Sequence, residues 1–398
     1  MVIVLAGLGG PLLAASGRIV IPVVVGELLA GIALGKTGAG LIKAGDPTIS
    51  FLGDIGFACL MMVAGMHVPL SDRALTRSLG RGAVAVVASA ALGLGGGLAI
   101  AHGLGIGHPA VWAILLATGS AAIALPALDE AGVTGDWALL AMAWATVADV
   151  VTIVAVPLVL NPSKALHAGL GVLAVAAGAL VVLGIAEVLG REHDVRALRR
   201  ESATRAWALD LRFALLALFA LCALAQWAGT SIMIAGFAAG LIVAVRGGPH
   251  RLSNQVSGVA NGFLVPLFFV VLGASLNVRA LVQTPSALEL AGALIVGMAL
   301  VHVLAGVVIR APTWVALIVT AQLGVPAAVA KLGLSDGVLS AGQGAAIIIA
   351  ALASLGICAA GTAIANAKAP AEGNRAHTDA HEHAHAHEHG HGHGHGHG

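Results

Sequence analysis

The stretch Trp144-Ala145-Thr146-Val147-Ala148-Asp149-Val150-Val151 places a single carboxylate in the middle of an apolar run that extends over about residues 137–160. A helix of that length can span the hydrocarbon core of a bilayer. No Lys or Arg lies within the run, so any partner for Asp149 must come from another helix. Because a charged side chain at membrane depth is costly, such a carboxylate by default marks an ion or proton pathway. We therefore interpret the remaining chain as a scaffold that exposes Asp149 to one side of a membrane and then to the other.

The composition places the chain among polytopic membrane proteins. Of its 398 residues 59% are hydrophobic and 10% are charged, and the mean hydropathy is +0.97. Soluble domains are about a quarter charged. The 54 glycines favour closely packed membrane helices over a barrel. A net charge of +1 indicates no nucleic-acid or acidic partner. The three cysteines lie in separate apolar runs and suggest neither a disulfide framework nor a metal site, and no cofactor is expected.

The apolar residues group into thirteen segments, most of them long enough to cross a bilayer as helices. Polar stretches, most of them short, separate these segments. The segments cover approximately residues 2–16, 19–36, 49–69, 79–102, 110–128, 136–160, 166–189, 207–228, 230–246, 256–277, 288–309, 312–332 and 338–364.

The distribution of positive charge predicts how these segments are oriented. The longest polar stretch in the hydrophobic region, Gly190 to Arg205, holds five arginines and is interpreted as a cytoplasmic linker, residues 190–206, between halves at about 1–189 and 207–366. With the N-terminus outside, 15 of the 20 Lys and Arg fall on the cytoplasmic side, in agreement with the positive-inside rule. The bias favours an odd number of spans and a cytoplasmic C-terminus, and eleven spans in the same orientation would also fit.

A weak internal repeat relates the two halves. The string Glu27-Leu-Leu-Ala-Gly31-Ile-Ala-Leu resembles Gly236-Phe-Ala-Ala-Gly240-Leu-Ile-Val, and Met62-Val-Ala-Gly65 resembles Val271-Leu-Gly273 at nearly the same offset. Segments seven helices apart have opposite orientations in the membrane. Inverted repeats of this kind are typical of secondary transporters, which bind their substrate near the midplane between the repeats. Chance similarity between Gly/Ala-rich helices is the alternative explanation.

Two segments at matching places in the halves contain helix-breaking residues. The fifth carries Thr118-Gly119-Ser120 followed by Pro126, and the twelfth carries Gln322, Gly324 and Pro326. A proline inside a helix removes one backbone hydrogen bond. A matching pair of broken helices is a strong sequence indication of a transport site, because the freed carbonyls and half-helix ends can bind a small ion. Ordinary proline kinks are the alternative.

The order and spacing of these strings resemble the monovalent cation/proton antiporters of the sodium/hydrogen exchanger fold, on the bacterial branch of potassium-efflux and sodium/proton antiporters. The similarity covers about residues 20–365. It is carried by Val25-Gly-Glu-Leu-Leu-Ala-Gly-Ile-Ala-Leu-Gly35, Phe51-Leu-Gly-Asp-Ile-Gly56, Ser120-Ala-Ala-Ile-Ala-Leu-Pro-Ala-Leu-Asp-Glu130, Ala148-Asp149, and Leu264-Val-Pro-Leu-Phe-Phe269 with Gly273.

The resemblance implies that Asp149 is the aspartate that takes up either a proton or a cation. The family pattern has a polar residue before this aspartate, where the chain has Ala148, and a basic residue where the chain offers His302. The fifth and twelfth helices usually carry Ser-Thr and Gly-Glu, where this chain has Ser120-Ala121 and Gly324-Val325. Each departure removes a polar group or replaces a basic one, which leaves open a rebuilt site, a different substrate, or loss of transport.

Several side chains are candidates for ion or proton binding beside Asp149. Burial disfavours the charged form of a carboxylate, so proton and cation would compete for Asp149. His302, as imidazolium, would hold Asp149 charged while no cation is bound, and a neutral His bonded to a carbonyl is equally compatible with the sequence. Gln322 lies in a broken segment near freed backbone. The remaining candidates are Thr118 and Ser120 in the fifth segment, Thr146 in the sixth, and Glu27, which would line an entry path or pack between helices.

The last residues, 367–398, are expected to form a disordered His-rich cytoplasmic tail holding ten of the 17 histidines. Such a tract binds divalent metals loosely, with His381, His383, His385, His387 and His389 as the candidate ligands.

From these features we predict an all-α polytopic membrane protein with about 13 transmembrane helices in two inverted repeats, including two crossing discontinuous helices. The predicted function is exchange of a monovalent cation, Na⁺ or K⁺, for protons in the inner membrane, and the family resemblance implies a homodimer. No enzymatic activity is expected, since no nucleophile–base pair is present. The alternative is a non-transporting pH or metal sensor that uses the His-rich tail. A sodium-coupled anion symporter would need a larger and more polar cavity.

Overall fold

The structure is a computed structural model that describes residues 6–7, 23–68, 73–130, 132–160, 162–192, 201–202, 205, 207–246 and 250–388. For residues 73–77, 130, 164, 250–251 and 368–388 it describes the backbone alone.

Within all the residues that the structure describes, the secondary structure is helical. The α-helices are α1 (Val23–Leu34), α2 (Pro47–Met66), α3 (Arg73–Leu104), α4 (Pro109–Ala117), α5 (Ala121–Glu130), α6 (Asp136–Leu160), α7 (Ala165–Arg191), α8 (Leu209–Trp227), α9 (Ile232–Val245), α10 (His250–Val259), α11 (Val265–Ser275), α12 (Val278–Gln283), α13 (Pro285–Val308), α14 (Thr313–Val319), α15 (Gly324–Ser335) and α16 (Ala341–Glu388).

The helices reproduce the predicted segments from the second to the thirteenth. Ten spans in the described residues are long and apolar enough to cross a membrane, and α1 and α9 are shorter apolar helices. The first predicted segment, residues 2–16, lies almost wholly outside the described residues, and so does most of the predicted linker. The tenth segment contains a π-helical turn at Ala260–Leu264 that the sequence analysis missed. This turn ends two residues before Pro266, whose missing N–H prevents regular helical pairing there.

The spans assemble into two bundles. The scaffold bundle consists of α1, α2, α7, α8, α9 and the α10–α11 segment. The core bundle consists of α3, the broken pair α4–α5, α6, α12, α13, the broken pair α14–α15, and α16. Packing is dense within each bundle and sparse between them, where α2 and α6 make most of the contacts. This division matches the two moving bodies that an inverted-repeat transporter needs.

Glycine contacts in the scaffold bundle agree with the inverted repeat. A Cβ on Gly31 would lie 3.0 Å from the Cα of Gly273, and a Cβ on Gly65 would lie 3.1 Å from the Cα of Gly240. The helices α1 and α11 therefore pack backbone to backbone, and so do α2 and α9. In the predicted repeat, α1 is equivalent to α9 and α2 is equivalent to α11. The contact between α1 and α11 therefore corresponds to the contact between α9 and α2. The packing thus has the two-fold relation that the weak sequence repeat predicts.

Both predicted discontinuous segments are broken, although not at their prolines. The fifth is interrupted at residues 118–120, between α4 and α5, and Pro126 lies inside α5. The twelfth is interrupted at residues 320–323, and Pro326 lies in the first turn of α15. Proline is tolerated in a first turn, where the N–H has no intrahelical partner.

The last helix differs from the expected disorder of the tail. Its backbone continues as helix to Glu388, whereas irregular structure was expected from residue 367. The Ala and Glu residues in this stretch are good helix formers, and the Gly–His alternation begins only near its end. The candidate metal ligands His381, His383, His385 and His387 lie where side chains are not described, and His389 lies outside the described residues. Their metal binding stays a prediction.

Candidate ion-binding site

The two broken helices touch each other at their breaks. The N–H of Ser120 donates a hydrogen bond to the carbonyl of Ala321 at 2.8 Å. Gly119 lies so close to the other break that a Cβ there would come within 3.0 Å of Val319 Cγ1. The predicted crossing of the discontinuous helices is therefore observed. It brings four half-helix ends, with their unpaired backbone groups, to one place in the core bundle.

Asp149 lies in α6 beside this crossing, and its side chain accepts a hydrogen bond from the backbone of another helix. The residue is 6% exposed, and its Oδ2 accepts a hydrogen bond from the N–H of Ala121 at 2.9 Å. Ala121 is the first residue of α5, so the carboxylate faces a helix N-terminus, where the helix dipole favours negative charge. The partner from another helix that the sequence requires is thus the end of a broken helix. Ala121 supplies it through its backbone, so loss of a polar side chain at 121 does not remove this contact.

Two threonine hydroxyls connect α6 to the first break. The Oγ1 atoms of Thr118 and Thr152 are 3.0 Å apart, and Thr152 Oγ1 donates to the carbonyl of Ala148 at 2.7 Å. Since a hydroxyl has one proton, Thr118 must be the donor in the bond between the two threonines. The sequence analysis missed Thr152. Its position three residues after Asp149 places it on the same face of α6 and would have been the signal.

Gln322 connects the second break to the first. Its Nε2 donates to the carbonyl of Leu115 at 2.9 Å and lies 3.5 Å from Met298 Sδ. Leu115 is in the last turn of α4, where carbonyls have lost their helical partners. This amide therefore lies beside freed backbone. The Oε1 atom of Gln322 is buried and has no hydrogen-bond partner in the structure, which leaves one acceptor available at the crossing.

Ser354 holds, in the second half, the position that Asp149 holds in the first. The backbone N–H of Gln322 donates to Ser354 Oγ at 3.1 Å, as the N–H of Ala121 donates to Asp149. Ser354 is fully buried in α16. The sequence analysis did not identify it, because the repeat in that region is not visible in the residues. The two halves therefore share one architecture, with a carboxylate in the first and a hydroxyl in the second.

His302 does not pair with Asp149 in this structure. The residue is fully buried in α13, and its Nδ1 is bonded to the carbonyl of Met298 at 2.8 Å. A carbonyl only accepts, so Nδ1 carries the proton. The ring stacks on Trp144, with centroids 5.6 Å apart and an interplanar angle of 24°. Two ring nitrogens in this stack, His302 Nε2 and Trp144 Nε1, are buried and have no hydrogen-bond partner in the structure. The geometry corresponds to a histidine bonded to a carbonyl of its own helix rather than to one of another helix, and a charge pair with Asp149 stays a prediction.

The other candidates are placed as follows. Ser120 is at the crossing and is 7% exposed, and Thr146 is buried in α6 with no partner for its hydroxyl. Glu27 is 2% exposed, with Oε2 unpaired, but it lies on α1 in the scaffold bundle and so outside the crossing. No group of three or more His, Cys, Asp or Glu that could hold a metal was found where the chain is described.

Lys331 makes a contact that the sequence analysis did not predict. It lies within α15 and forms an ion pair with Asp54 of α2. The hydropathy pattern placed Lys331 at the end of its segment, where a loop is expected. Its partner could not be found from the sequence, because the two residues are 277 positions apart.

Comparisons with known proteins agree with this architecture. The family model for the transmembrane sodium/hydrogen exchanger matches residues 2–365. The Na⁺/H⁺ antiporter NhaS5 of Synechocystis is 29% identical over 333 residues, which are 79% of this chain and 45% of that protein. The glutathione-regulated potassium-efflux system protein KefC of Cronobacter sakazakii is 28% identical over 270 residues, 66% of this chain and 42% of that protein. The chain thus spans less than half the length of these two curated relatives.

A solved structure shows the same fold. The sodium proton antiporter MjNhaP1 from Methanocaldococcus jannaschii superposes with a TM-score of 0.58 at 17% sequence identity, covering 92% of this chain and 95% of that one. At this identity the likeness concerns the fold alone. The family model, by contrast, matches most of the chain. Together with the two crossing broken helices, it shows that the chain belongs to the sodium/hydrogen exchanger family of membrane transporters.

Proposed function

We propose that this protein exchanges a monovalent cation for protons across the membrane, and that Asp149 is the site for which the two compete. The observation that carries the proposal is the bond from the N–H of Ala121 to Asp149, which holds a buried carboxylate at the crossing of two broken helices. In the described residues neither a Lys nor an Arg contacts Asp149. Neutralisation of its charge is therefore left to a proton or to a bound cation.

The groups around Asp149 suit a hard monovalent cation. We assign as oxygen ligands the carboxylate itself, the hydroxyls of Thr118 and Thr146, and the Oε1 atom of Gln322, which has no hydrogen-bond partner. Thr118 donates its proton to Thr152, so its lone pairs remain free for an ion. Soft or transition metals prefer nitrogen and sulfur ligands, and the site offers oxygen. The name of NhaS5 refers to sodium and the name of KefC refers to potassium. We therefore take Na⁺ and K⁺ as the candidate cations.

Competition at one carboxylate is sufficient to couple the two fluxes. A buried carboxylate is costly when charged and empty, so the core bundle moves readily only when a proton or a cation occupies it. Movement of the core bundle against the scaffold bundle would expose Asp149 alternately to the two sides. We further propose that the C-terminus is cytoplasmic, that the membrane is the inner membrane, and that the chain forms a homodimer, as the charge distribution and the family resemblance suggest.

Proton flux in everted vesicles tests this proposal. Na⁺, K⁺ and Li⁺ are added in turn to vesicles that contain the wild-type protein, Asp149→Asn, or Asp136→Asn as a control. Asp136 is an exposed carboxylate at the start of the same helix, so its neutralisation should leave exchange intact. Cation-dependent alkalinisation that is lost in Asp149→Asn and kept in Asp136→Asn is the expected result. The proposal fails if no cation elicits a response with the protein present in the membrane, or if Asp149→Asn exchanges like the wild type.

A further inference from the structure

A stripe of contacts between α2 and α15 crosses the boundary between the bundles. A Cβ on Gly324 of α15 would lie 3.1 Å from Met61 Cε of α2. Seven residues, or two helical turns, after Gly324 comes Lys331, and seven residues before Met61 comes Asp54. Residues two turns apart share a face, so the two helices are antiparallel here. They touch at the depth of the break and again about 10 Å nearer one membrane surface.

The second contact is charged and has a specific shape. Lys331 Nζ pairs with Asp54 and lies 4.7 Å from the ring centroid of Phe57 and 5.8 Å from that of Phe268. The two phenylalanine rings stack with centroids 5.1 Å apart. The scaffold bundle supplies the carboxylate and both rings, from α2 and α11, and the core bundle supplies the ammonium. Acid and aromatic faces both attract a cation, so the scaffold bundle forms a socket for this lysine.

The exposure of the pair indicates that it can open. The Lys331 side chain is 25% exposed and that of Asp54 is 42% exposed. Both groups are therefore partly accessible, and separation does not require burial of an unpaired charge. Met61, two turns deeper on the same stripe, is 1% exposed. The interface is thus partly accessible at the ion pair and closed at Met61, which is the arrangement expected at the closed end of a path toward the site.

We propose that the Lys331–Asp54 pair is a latch between the bundles that opens once in every exchange cycle. This rests on the proposed exchange function. While the pair is formed, α15 is held against α2 on the side of the membrane that carries loops 35–46 and 336–340, and Asp149 has no path to that side. Opening the pair lets the core bundle move away from α2, and the socket of Phe57 and Phe268 guides the lysine back.

A reversible crosslink tests whether the contact must open. Asp54→Cys and Lys331→Cys are combined in a background in which the buried Cys59, Cys222 and Cys358 are replaced by Ala. Bridging the pair with a short, cleavable bifunctional thiol reagent should abolish exchange in vesicles, and cleavage should restore it. Either single-cysteine variant, treated in the same way, is the control. Exchange at the unbridged rate by bridged protein would overturn the latch.

A second measurement does not depend on transport. In the same background, Met61→Cys is labelled with a water-soluble maleimide, alone or combined with Lys331→Met or Asp54→Asn. Loss of an exposed ion pair shifts a two-state equilibrium by a few-fold, so we expect labelling about three to five times faster in both combinations. Lys43→Met, which removes an exposed charge on the same side, should leave the rate unchanged. The charge-exchanged pair, Asp54→Lys with Lys331→Asp, should restore slow labelling.

The two measurements separate this proposal from the exchange function. Faster labelling in the Lys331→Met or Asp54→Asn combinations, with no cation-driven proton flux in the wild type, would support the latch and refute the proposed exchange. Cation-driven flux in the wild type, with labelling rates that Lys331→Met and Asp54→Asn leave unchanged, would refute the latch and support the exchange.

Discussion

Replacing Thr152 by Val tests how the hydroxyls beside Asp149 are oriented. Thr152 gives its proton to the Ala148 carbonyl, so the 3.0 Å contact with Thr118 is a bond donated by Thr118. Valine has nearly the same shape and cannot accept that bond. The Thr118 hydroxyl is fully buried, and after the substitution its proton has lost its acceptor. We expect it to turn toward the Asp149 carboxylate, where it would occupy space and lone pairs that a cation needs.

The magnitude follows from the cost of an unpaired buried hydroxyl. Cation binding would then force the Thr118 proton away from any acceptor, at about 1–3 kcal/mol. At 1.4 kcal/mol for each factor of ten, the cation concentration at half-maximal exchange should rise about 5-fold to 140-fold. The maximal rate should change much less, because Asp149 and its bond to Ala121 are untouched.

The assay is cation-dependent proton flux in vesicles, measured over a range of cation concentrations. Thr152→Ser keeps the acceptor and is the matched control, and it should behave like the wild type. Unchanged half-maximal concentrations in Thr152→Val, with the protein folded and inserted, would refute the assignment of Thr118 as a cation ligand. An equal effect in Thr152→Ser would attribute the change to packing.

Three further substitutions or deletions have defined outcomes. Gln322→Leu removes the donor to the Leu115 carbonyl and should lower stability by about 1–3 kcal/mol, measured as thermal unfolding in detergent; an unchanged unfolding temperature would contradict this. His302→Phe keeps a ring against Trp144 and should retain Asp149-dependent exchange; loss of exchange in folded protein would instead support a charge pair between His302 and Asp149. Deletion of residues 370–398 should leave basal flux intact, because the crossing lies entirely within the membrane bundle, whereas loss of every response would favour the sensor.

The hydropathy pattern was sufficient to predict most of the spans, because each needs only a run of apolar residues. It also singled out Asp149, whose role stays a prediction, since one carboxylate inside such a run is visible without a structure. The helix breaks were assigned to the correct segments, but the prolines on which that prediction partly rested do not lie at the breaks. Pro126 is accommodated inside α5, and the chain is interrupted at residues 118–120, where the other broken segment makes contact. Tertiary contact, rather than proline, determines where the helix stops.

What the sequence analysis missed depends on contacts between distant segments. The partner of Asp149 is the backbone N–H of Ala121, and a backbone group has no signature in the residue type. Lys331 and Asp54 are ordinary charged residues until α15 packs against α2. Thr152 is the exception, because its spacing from Asp149 was available in the sequence and should have been used.

Asp149 carries a carboxylate where Ser354 carries a hydroxyl, and this difference determines how exchange should respond to membrane voltage. The two residues occupy equivalent places at the crossing, and one of them carries a charge. In the proposed exchange, the site is neutral whether Asp149 holds a proton or a monovalent cation. A voltage does work on a moving charge, at about 2.3 kcal/mol per elementary charge per 100 mV, and it does none on a neutral site. One-for-one exchange at Asp149 would therefore run at the same rate in polarised and depolarised vesicles, and a carboxylate introduced by Ser354→Asp would make it voltage-dependent.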